Sequence, residues 1–132
     1  MAGGMLTTVA STFGLNTGQQ SITGLALPTT PPPGGIATVN IPEITGVAAG
    51  ATVTVQLIRT DTNAVIGNGV AQNTGAGSGA VGPINFDAVV PQLPTGATVQ
   101  VQAAVSSGTA TCQGSATSPM FIYESPIAYS EV

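Results

Sequence analysis

The chain has 132 residues, among them 18 Gly, 10 Pro, one Cys, one basic residue, five acidic residues and no His. Charged residues make up 5 % of the chain, against about 25 % in an average soluble domain, so the surface has to be built from Thr, Ser, Gln, Asn and backbone. One basic residue argues against nucleic-acid binding, which needs several cations to neutralise phosphates. The ligands of a His or Cys metal site and the usual acid–base residue of neutral-pH catalysis are also missing, so we expect no enzyme, cofactor or metal.

Length and cysteine content indicate one domain without a disulfide framework. A chain of this size can bury about two thirds of its unfolded surface in a single core. Cys112 has no internal partner, so we expect an inert thiol, with an intermolecular bridge as the alternative. No basic residue precedes an apolar run at the N-terminus, and no stretch approaches the length of a membrane span. We therefore expect synthesis in a host cytoplasm without a signal peptide, and no membrane partner.

Residues 1–24 are predicted to form an extended N-terminal arm. Their large apolar side chains are scattered among Thr, Ser, Gly and Gln without a sustained helical or strand period. A disordered tail is usually poor in large apolar residues and rich in charge, so we expect the arm to dock on a neighbouring subunit. The candidate anchors are Met5, Leu6, Val9, Phe13 and Leu15. The alternative is that the segment folds back onto its own domain.

Residues 25–124 predict an antiparallel β-sandwich, because short runs between frequent turn signals are typical of that class. The strongest strand signal extends from Ala51 to Thr60, where Val and Leu alternate with Thr and Gln in strict period two. Asp61 to Asn63 predicts the turn after it. Gly67-Asn68-Gly69 indicates either a bulge or a tight turn. Further strands are expected over 35–41, 84–87, 97–105 and 116–124, with loops over 75–82 and 106–115.

Residues 125–132 are predicted to form a short C-terminal tail beyond the sandwich. Ile127 and Tyr129 follow Pro126 and would be exposed in a monomer. We therefore expect these two side chains to be further anchors, by strand addition or by insertion into a neighbour's groove.

Two segments carry a resemblance to a known class of module. The run Leu93-Pro94-Thr95-Gly96-Ala97-Thr98-Val99-Gln100-Val101 is similar to the turn that leads into strand F of immunoglobulin-like and fibronectin-III-like sandwiches. Residues 53–66 resemble strand C, a turn and strand C′ of the same modules. The resemblance implies an all-β, immunoglobulin-like sandwich. Gly- and Thr-rich modules of this kind occur on bacterial surface proteins and on bacteriophage capsids and tails.

Together these patterns predict a non-enzymatic virion structural protein. It would be a capsid decoration or cement module on the outer surface of a bacteriophage particle, bound to the major capsid protein or another virion subunit and forming a homo-oligomer there. The alternative is an extracellular adhesion or filament-forming β-sandwich module that uses Asn68 and the loop over 75–82. The two arms carry the prediction, because they would bury apolar side chains against a neighbour.

Overall fold

The computed structural model describes residues 4–125, which form twelve β-strands in three four-stranded antiparallel sheets. The first sheet has the order β1 (Met5–Val9), β12 (Met120–Ser125), β4 (Ile36–Ile41), β9 (Ile84–Val89). The second has the order β2 (Phe13–Leu15), β11 (Ala110–Gln113), β5 (Glu43–Val47), β8 (Gly79–Val81). The third has the order β3 (Gln20–Ala26), β10 (Val99–Val105), β6 (Thr52–Arg59), β7 (Val65–Gln72).

The first two sheets are the upper and lower halves of one front layer. Each strand of the upper half is consecutive in the chain with a strand of the lower half, and the four pairs stand in the same order. The pairs are separated by short interruptions, at Pro42 between β4 and β5 and at Gly82-Pro83 between β8 and β9. Proline has no backbone N–H to donate to a sheet, so the hydrogen-bonded ladder breaks at this level. We call the third sheet the back sheet.

One hydrophobic core contains side chains from both front halves and from the back sheet. The period-two alternation of β6 and β10 places Val53, Val55, Val101 and Ala103 in this core with no exposed surface. Val39 and Ile122 of the upper half and Ile44 and Cys112 of the lower half are equally buried. The polar residues between these positions point outward. The fold is therefore an all-β sandwich, in which each layer has one side facing the core and one side facing solvent.

The glycines of β7 allow the two layers to approach closely. The sequence left open a turn at residues 67–69, but Gly67 and Gly69 lie within the continuous strand β7. A Cβ atom on Gly69 would stand 2.9 Å from the Ile84 and Phe86 side chains of β9, and one on Gly67 would stand 2.7 Å from the Cβ of Ala88. These positions need glycine because β9 packs directly against them.

The predicted separate arm is not what the structure has. Residues 5–24 contain β1 and β2 and most of β3, all paired with strands from the second half of the chain. Leu15 and Ile22 lie in the core, and Met5, Val9 and Phe13 pack against it. The alternative of folding back describes this segment better, because its apolar side chains fill the core and its backbone completes the sheets. Residues 126–132, including Ile127 and Tyr129, lie outside the described residues.

Two other predictions need correction. The predicted loops over 75–82 and 106–115 contain the short strands β8 and β11. The immunoglobulin-like order, in which one sheet holds strands A, B, E and D and the other C, F and G, is not observed: the first and last strands pair with each other at the front. Local turn signals do not specify which distant strands pair, so the resemblance of two segments did not determine the order.

Two leucines of the N-terminal segment test its incorporation into the sandwich. Leu15 is 3 % exposed and Leu6 is 59 % exposed. We expect Leu15→Ala to lower the free energy of unfolding by about 2–5 kcal/mol, since it leaves a cavity in the core. Leu6→Ala is the matched control and is expected to change it by no more than about 0.5 kcal/mol. Urea denaturation measures both; equal effects would contradict this placement.

Candidate functional site

The outward side of the upper front half forms a single surface, here called the outer face. Its side chains lie in three rows across β1, β12, β4 and β9, set by the strand register. The middle row is Leu6, Tyr123, Thr38 and Asp87. The row on one side of it is Thr8, Phe121, Asn40 and Asn85, and the row on the other side is Ser125, Ile36 and Val89.

Exposed apolar side chains are concentrated on the outer face. Among the described residues six large hydrophobic side chains are exposed, and four of them, Leu6, Ile36, Val89 and Tyr123, stand on this face. Single exposed apolar residues are ordinary on a protein surface, whereas a group on one face marks a contact site. The outer face is therefore the candidate site of this protein.

A groove of about 720 Å³ crosses the side of the outer face nearest β1 and β12. Leu6, Phe121 and Tyr123 supply its apolar lining, and the chain before β12 contributes Pro119. Polar lining comes from hydroxyl and amide groups: Thr8, Thr38, Asn40, Thr117 and Ser118. The lining holds no charged side chain, so a bound group would be recognised by shape, apolar contact and neutral hydrogen bonds.

The outer face carries one charge, and that charge is already engaged. The Thr38 hydroxyl donates to Oδ1 of Asp87 at 2.6 Å, and the Asn85 amide donates to Oδ1 of Asn40 at 3.2 Å.

The chain's one basic residue, Arg59, lies at the end of β6 in the back sheet and donates two 2.8 Å hydrogen bonds to Asp61. This pairing raises the pKa of Arg59 and lowers that of Asp61.

The outward side of the back sheet is mainly polar and its amides bond to one another. Gln56 donates to Gln102 at 3.0 Å, and the Gln100 amide donates to the backbone carbonyls of Ile22 and Leu25. Val65 and Val70 on the edge strand β7 are exposed apolar exceptions. The two outward surfaces therefore differ, because the polar groups of the back sheet satisfy one another while the outer face leaves apolar area in water.

A second concavity lies at the break between the two front halves. It has a volume of about 450 Å³ and is lined by Pro42, Glu43, Gln113, Gly114, Ser115 and Ser118. It contains a single carboxylate, whereas acid–base hydrolysis of a glycosidic bond needs two. Within residues 4–125, no three His, Cys, Asp or Glu side chains cluster as they would around a metal ion. No helix in that range has the length and apolarity to cross a membrane.

One strand of the outer face, β12, carries a buried carboxylic acid on its inward side. Glu124 of β12 alternates with Met120 and Ile122 and faces inward, with 1 % of its surface exposed. Its Oε2 atom has no hydrogen-bond partner in the described part of the chain. Gly35 approaches this carboxyl so closely that a Cβ atom there would overlap Oε2. Burial raises the pKa of the Glu124 carboxyl, because desolvation disfavours its charged form.

Cys112 occupies the core with no exposed surface. Burial raises the pKa of its thiol to about 12, so the reactive thiolate is scarce at neutral pH. This environment agrees with the inert thiol expected from the sequence, and it disfavours the alternative of an intermolecular bridge through this residue.

The structure separates the five described anchor residues that the sequence predicted. Leu6 alone is an exposed member of the outer face; Leu15 is buried, and Met5, Val9 and Phe13 pack against the core. The sequence did not predict Ile36, Val89, Phe121 or Tyr123, the other apolar members of the outer face, as anchors. Each occupies an outward position in a strand with an alternating pattern, so a large apolar residue at a polar position of that pattern was the available signal.

Comparisons with known proteins bear on the fold alone. No protein-family model and no curated protein sequence matches the chain. The structure of Eiger TNF from S. frugiperda is similar at a TM-score of 0.62 and 9 % identity, covering 99 % of this chain and 97 % of that one. The likeness is to a TNF-like jelly-roll fold. A structure of the infectious bursal disease virus Gx strain aligns at a TM-score of 0.37 and 15 % identity, covering 92 % of this chain and 30 % of that one, too weak a likeness to carry an argument.

The position of Glu124 predicts an unusual dependence of stability on pH. Because its pKa is raised in the folded state, the contribution of this carboxyl to stability is fully present below its unfolded pKa of 4.5 and is lost as pH rises through the folded pKa. We expect the wild-type free energy of unfolding to fall from this acidic range toward neutral pH, and Glu124→Gln to weaken that fall. Urea denaturation across this pH range measures it. Glu43→Gln, at an exposed glutamate, is the control; the same flattening in both variants would contradict the assignment to Glu124.

Proposed function

We propose that this chain is a non-enzymatic structural protein of a virion, a decoration or cement module on the outer surface of a capsid. The observation that carries the proposal is the outer face, where apolar side chains are grouped on an almost uncharged sheet. Such a surface supports attachment to a protein by apolar burial. The partner would be the major capsid protein or another virion subunit.

The mechanism differs from the one expected from the sequence. An N-terminal arm would have reached a neighbour, but Met5, Val9 and Phe13 contribute to the core of their own sandwich. Contact through the face of a sheet uses side chains that the strands already hold in place, so less conformational entropy is lost on binding. The proposed module is thus a rigid block that attaches through a surface.

Attachment to particles should vary little with salt. Screening acts on charges, and the outer face has only Asp87, whose carboxylate accepts a hydrogen bond from Thr38. We expect the dissociation constant for particles stripped of this protein and then re-incubated with it to change less than about threefold between 0.05 and 0.5 M salt. Co-sedimentation measures it. A weakening of about tenfold or more would show that ion pairs dominate and would contradict the proposed mechanism.

The same preparation distinguishes this function from the alternative. A decoration protein is expected to co-purify with particles in a fixed copy number and to appear as external density in electron-microscopy images. Filaments formed by the purified chain alone, or binding of the monomer to cells in the absence of particles, would support the adhesion or filament module instead.

A further inference from the structure

Strand β6 bonds to its two neighbours with alternate residues. The Thr52 carbonyl accepts a hydrogen bond from Ser106, and the Thr60 N–H donates to Thr98; Ser106 and Thr98 directly flank β10. The two backbone groups of one residue in an antiparallel strand point to the same side. Even-numbered residues of β6 therefore bond to β10, and odd-numbered residues bond to β7.

This alternation directs the backbone groups of Asn68, Val70 and Gln72 away from β6, to the free edge of β7. The residues of β7 that face the odd-numbered residues of β6 are 67, 69 and 71. Asn68, Val70 and Gln72 are exposed, and within residues 4–125 β7 pairs with β6 alone. Each of the three offers a backbone donor and a backbone acceptor at the edge, and the complement of such a row is another extended strand.

The other edge strands of the described sheets are shorter, interrupted or charged. β2 and β8 have three residues each, and β3 has a register shift against β10. β9 carries the carboxylate of Asp87, and β1, with five residues, borders the groove of the outer face. β7 has eight residues without charge or proline, and its pairing with β6 is regular from Gly67 to Gln72. Edges are usually protected by such features, so β7 is the edge open to pairing with another molecule.

We propose that two copies of this chain pair β7 against β7 about a two-fold axis, joining their four-stranded back sheets into one continuous sheet. The contact goes beyond the proposed function, because it lies at the side of the sandwich and supplies a link between neighbouring modules. An axis perpendicular to the strand makes the two copies of β7 antiparallel, so the same edge serves both molecules.

A register centred on Val70 matches the side chains of this edge to themselves. Val70, which is 64 % exposed, stands opposite Val70 of the second copy, and Asn68 stands opposite Gln72. Opposed apolar side chains and opposed amides are both favourable cross-strand pairs. The Gln72 amide nitrogen donates to the Gly50 carbonyl, which leaves the Oε1 atom of Gln72 to accept from Asn68. Each of these opposed pairs also exchanges two backbone hydrogen bonds.

This contact leaves the outer face of both copies free. Residues opposed across antiparallel strands have their side chains on the same side of the sheet, so the two-fold axis stands perpendicular to the back sheet. Rotation about that axis keeps both front layers on one side of the joined sheet, and the two outer faces point the same way. Two linked modules can therefore contact one particle surface together.

The charge distribution favours a second copy over a charged partner strand. β7 has no charged side chain, and Arg59 and Asp61 at the turn before it form an ion pair. Two such edges can meet with little repulsion, although each chain has a net charge of −4. Asp87 of β9 lies in the front layer, where its carboxylate accepts a hydrogen bond from Thr38.

The contact is smaller than a standard interface, and its affinity comes mainly from main-chain hydrogen bonds. We therefore expect a weak dimer, with a Kd on the order of 0.1 mM. Copies held side by side on a particle have an effective concentration of about 1 mM, so a weak contact is sufficient to link them.

Sedimentation equilibrium of the full chain up to about 1 mM tests the contact and its register. We expect Val70→Lys alone and Val70→Glu alone to weaken the Kd about tenfold or more, since like charges then stand opposite each other, and an equimolar mixture of the two to dimerise. Leu6→Lys, at a position 59 % exposed on the edge strand β1, is the matched control and is expected to leave the Kd unchanged. Thermal melting verifies that the variants fold.

A wild-type monomer throughout the concentration series would overturn the proposal, as would equal weakening by Val70→Lys and Leu6→Lys. A mixture that dimerises no better than its two components would overturn the register centred on Val70.

Amide hydrogen exchange identifies the strand that pairs. We expect the N–H groups of Asn68, Val70 and Gln72 to exchange more slowly at the highest concentration than at the lowest, by about threefold or more, because only the dimer protects them. The N–H groups of Gly69 and Ala71 bond to β6 and are expected to be protected at every concentration. The same concentration dependence in both groups, or protection confined to another strand, would overturn pairing through β7.

The two proposals fail in different ways. A chain that remains monomeric in solution and still attaches to particles contradicts the self-association and leaves the virion function standing. A chain that dimerises through β7 but never co-purifies with particles contradicts the virion function and supports the self-association.

Discussion

Burial of inward side chains between the front layer and the back sheet is the interaction on which the rest of the structure depends. The inward residues of β6 and β10, mainly Val, Leu and Ala, lose all or nearly all contact with water. At about 25 cal/mol per Å² of apolar surface, this burial is the largest favourable contribution to folding. Both layers must be complete to exclude water, and the first and last strands, β1 and β12, complete the upper front half together.

That requirement explains why the N-terminal segment is part of the sandwich. Removing β1, β2 and β3 would take Leu15 and Ile22 out of the core and leave one edge of β10, β11 and β12 without hydrogen-bond partners. Within one molecule, pairing these strands and burying their apolar side chains stabilises the fold more than leaving the segment as a free arm would. Apolar side chains near a chain terminus can either pack in the core of their own domain or contact a neighbouring molecule. In this segment most of them pack in or against the core.

The two outward surfaces of the molecule are both poor in charge but differ in their side chains. On the back sheet the glutamine amides find partners in each other and in backbone carbonyls, as for Gln56 with Gln102. On the outer face, Leu6 and Tyr123 stand side by side in the register. Glu124, the one deeply buried acid among residues 4–125, lies on the inward side of the same strand as Tyr123. Burial raises the pKa of this carboxyl, so its contribution to the free energy of unfolding is largest at acidic pH.

The sequence alone determined the all-β class, the low content of charged residues and the strands with strong alternation. The alternation predicted β4, β6 and β10 within one or two residues, because their inward residues are Val, Ile, Leu or Ala and most of their outward residues are Thr, Asn or Gln. It failed for β8 and β11, where three or four residues between polar or glycine-rich stretches are too few to show a period. It was ambiguous at Gly67 and Gly69, since a glycine in a sequence does not distinguish a turn from a close approach to another layer.

Only the tertiary structure decided which strands are neighbours, and therefore which residues share a face. Period two indicates that a strand has an inward and an outward side, but sheet hydrogen bonds join residues far apart in the chain. Leu6 and Tyr123 come from opposite ends of the sequence and become adjacent through the pairing of β1 with β12. The outer face is made by that pairing and by those of β12 with β4 and β4 with β9. Each is a non-local contact that no local pattern encodes.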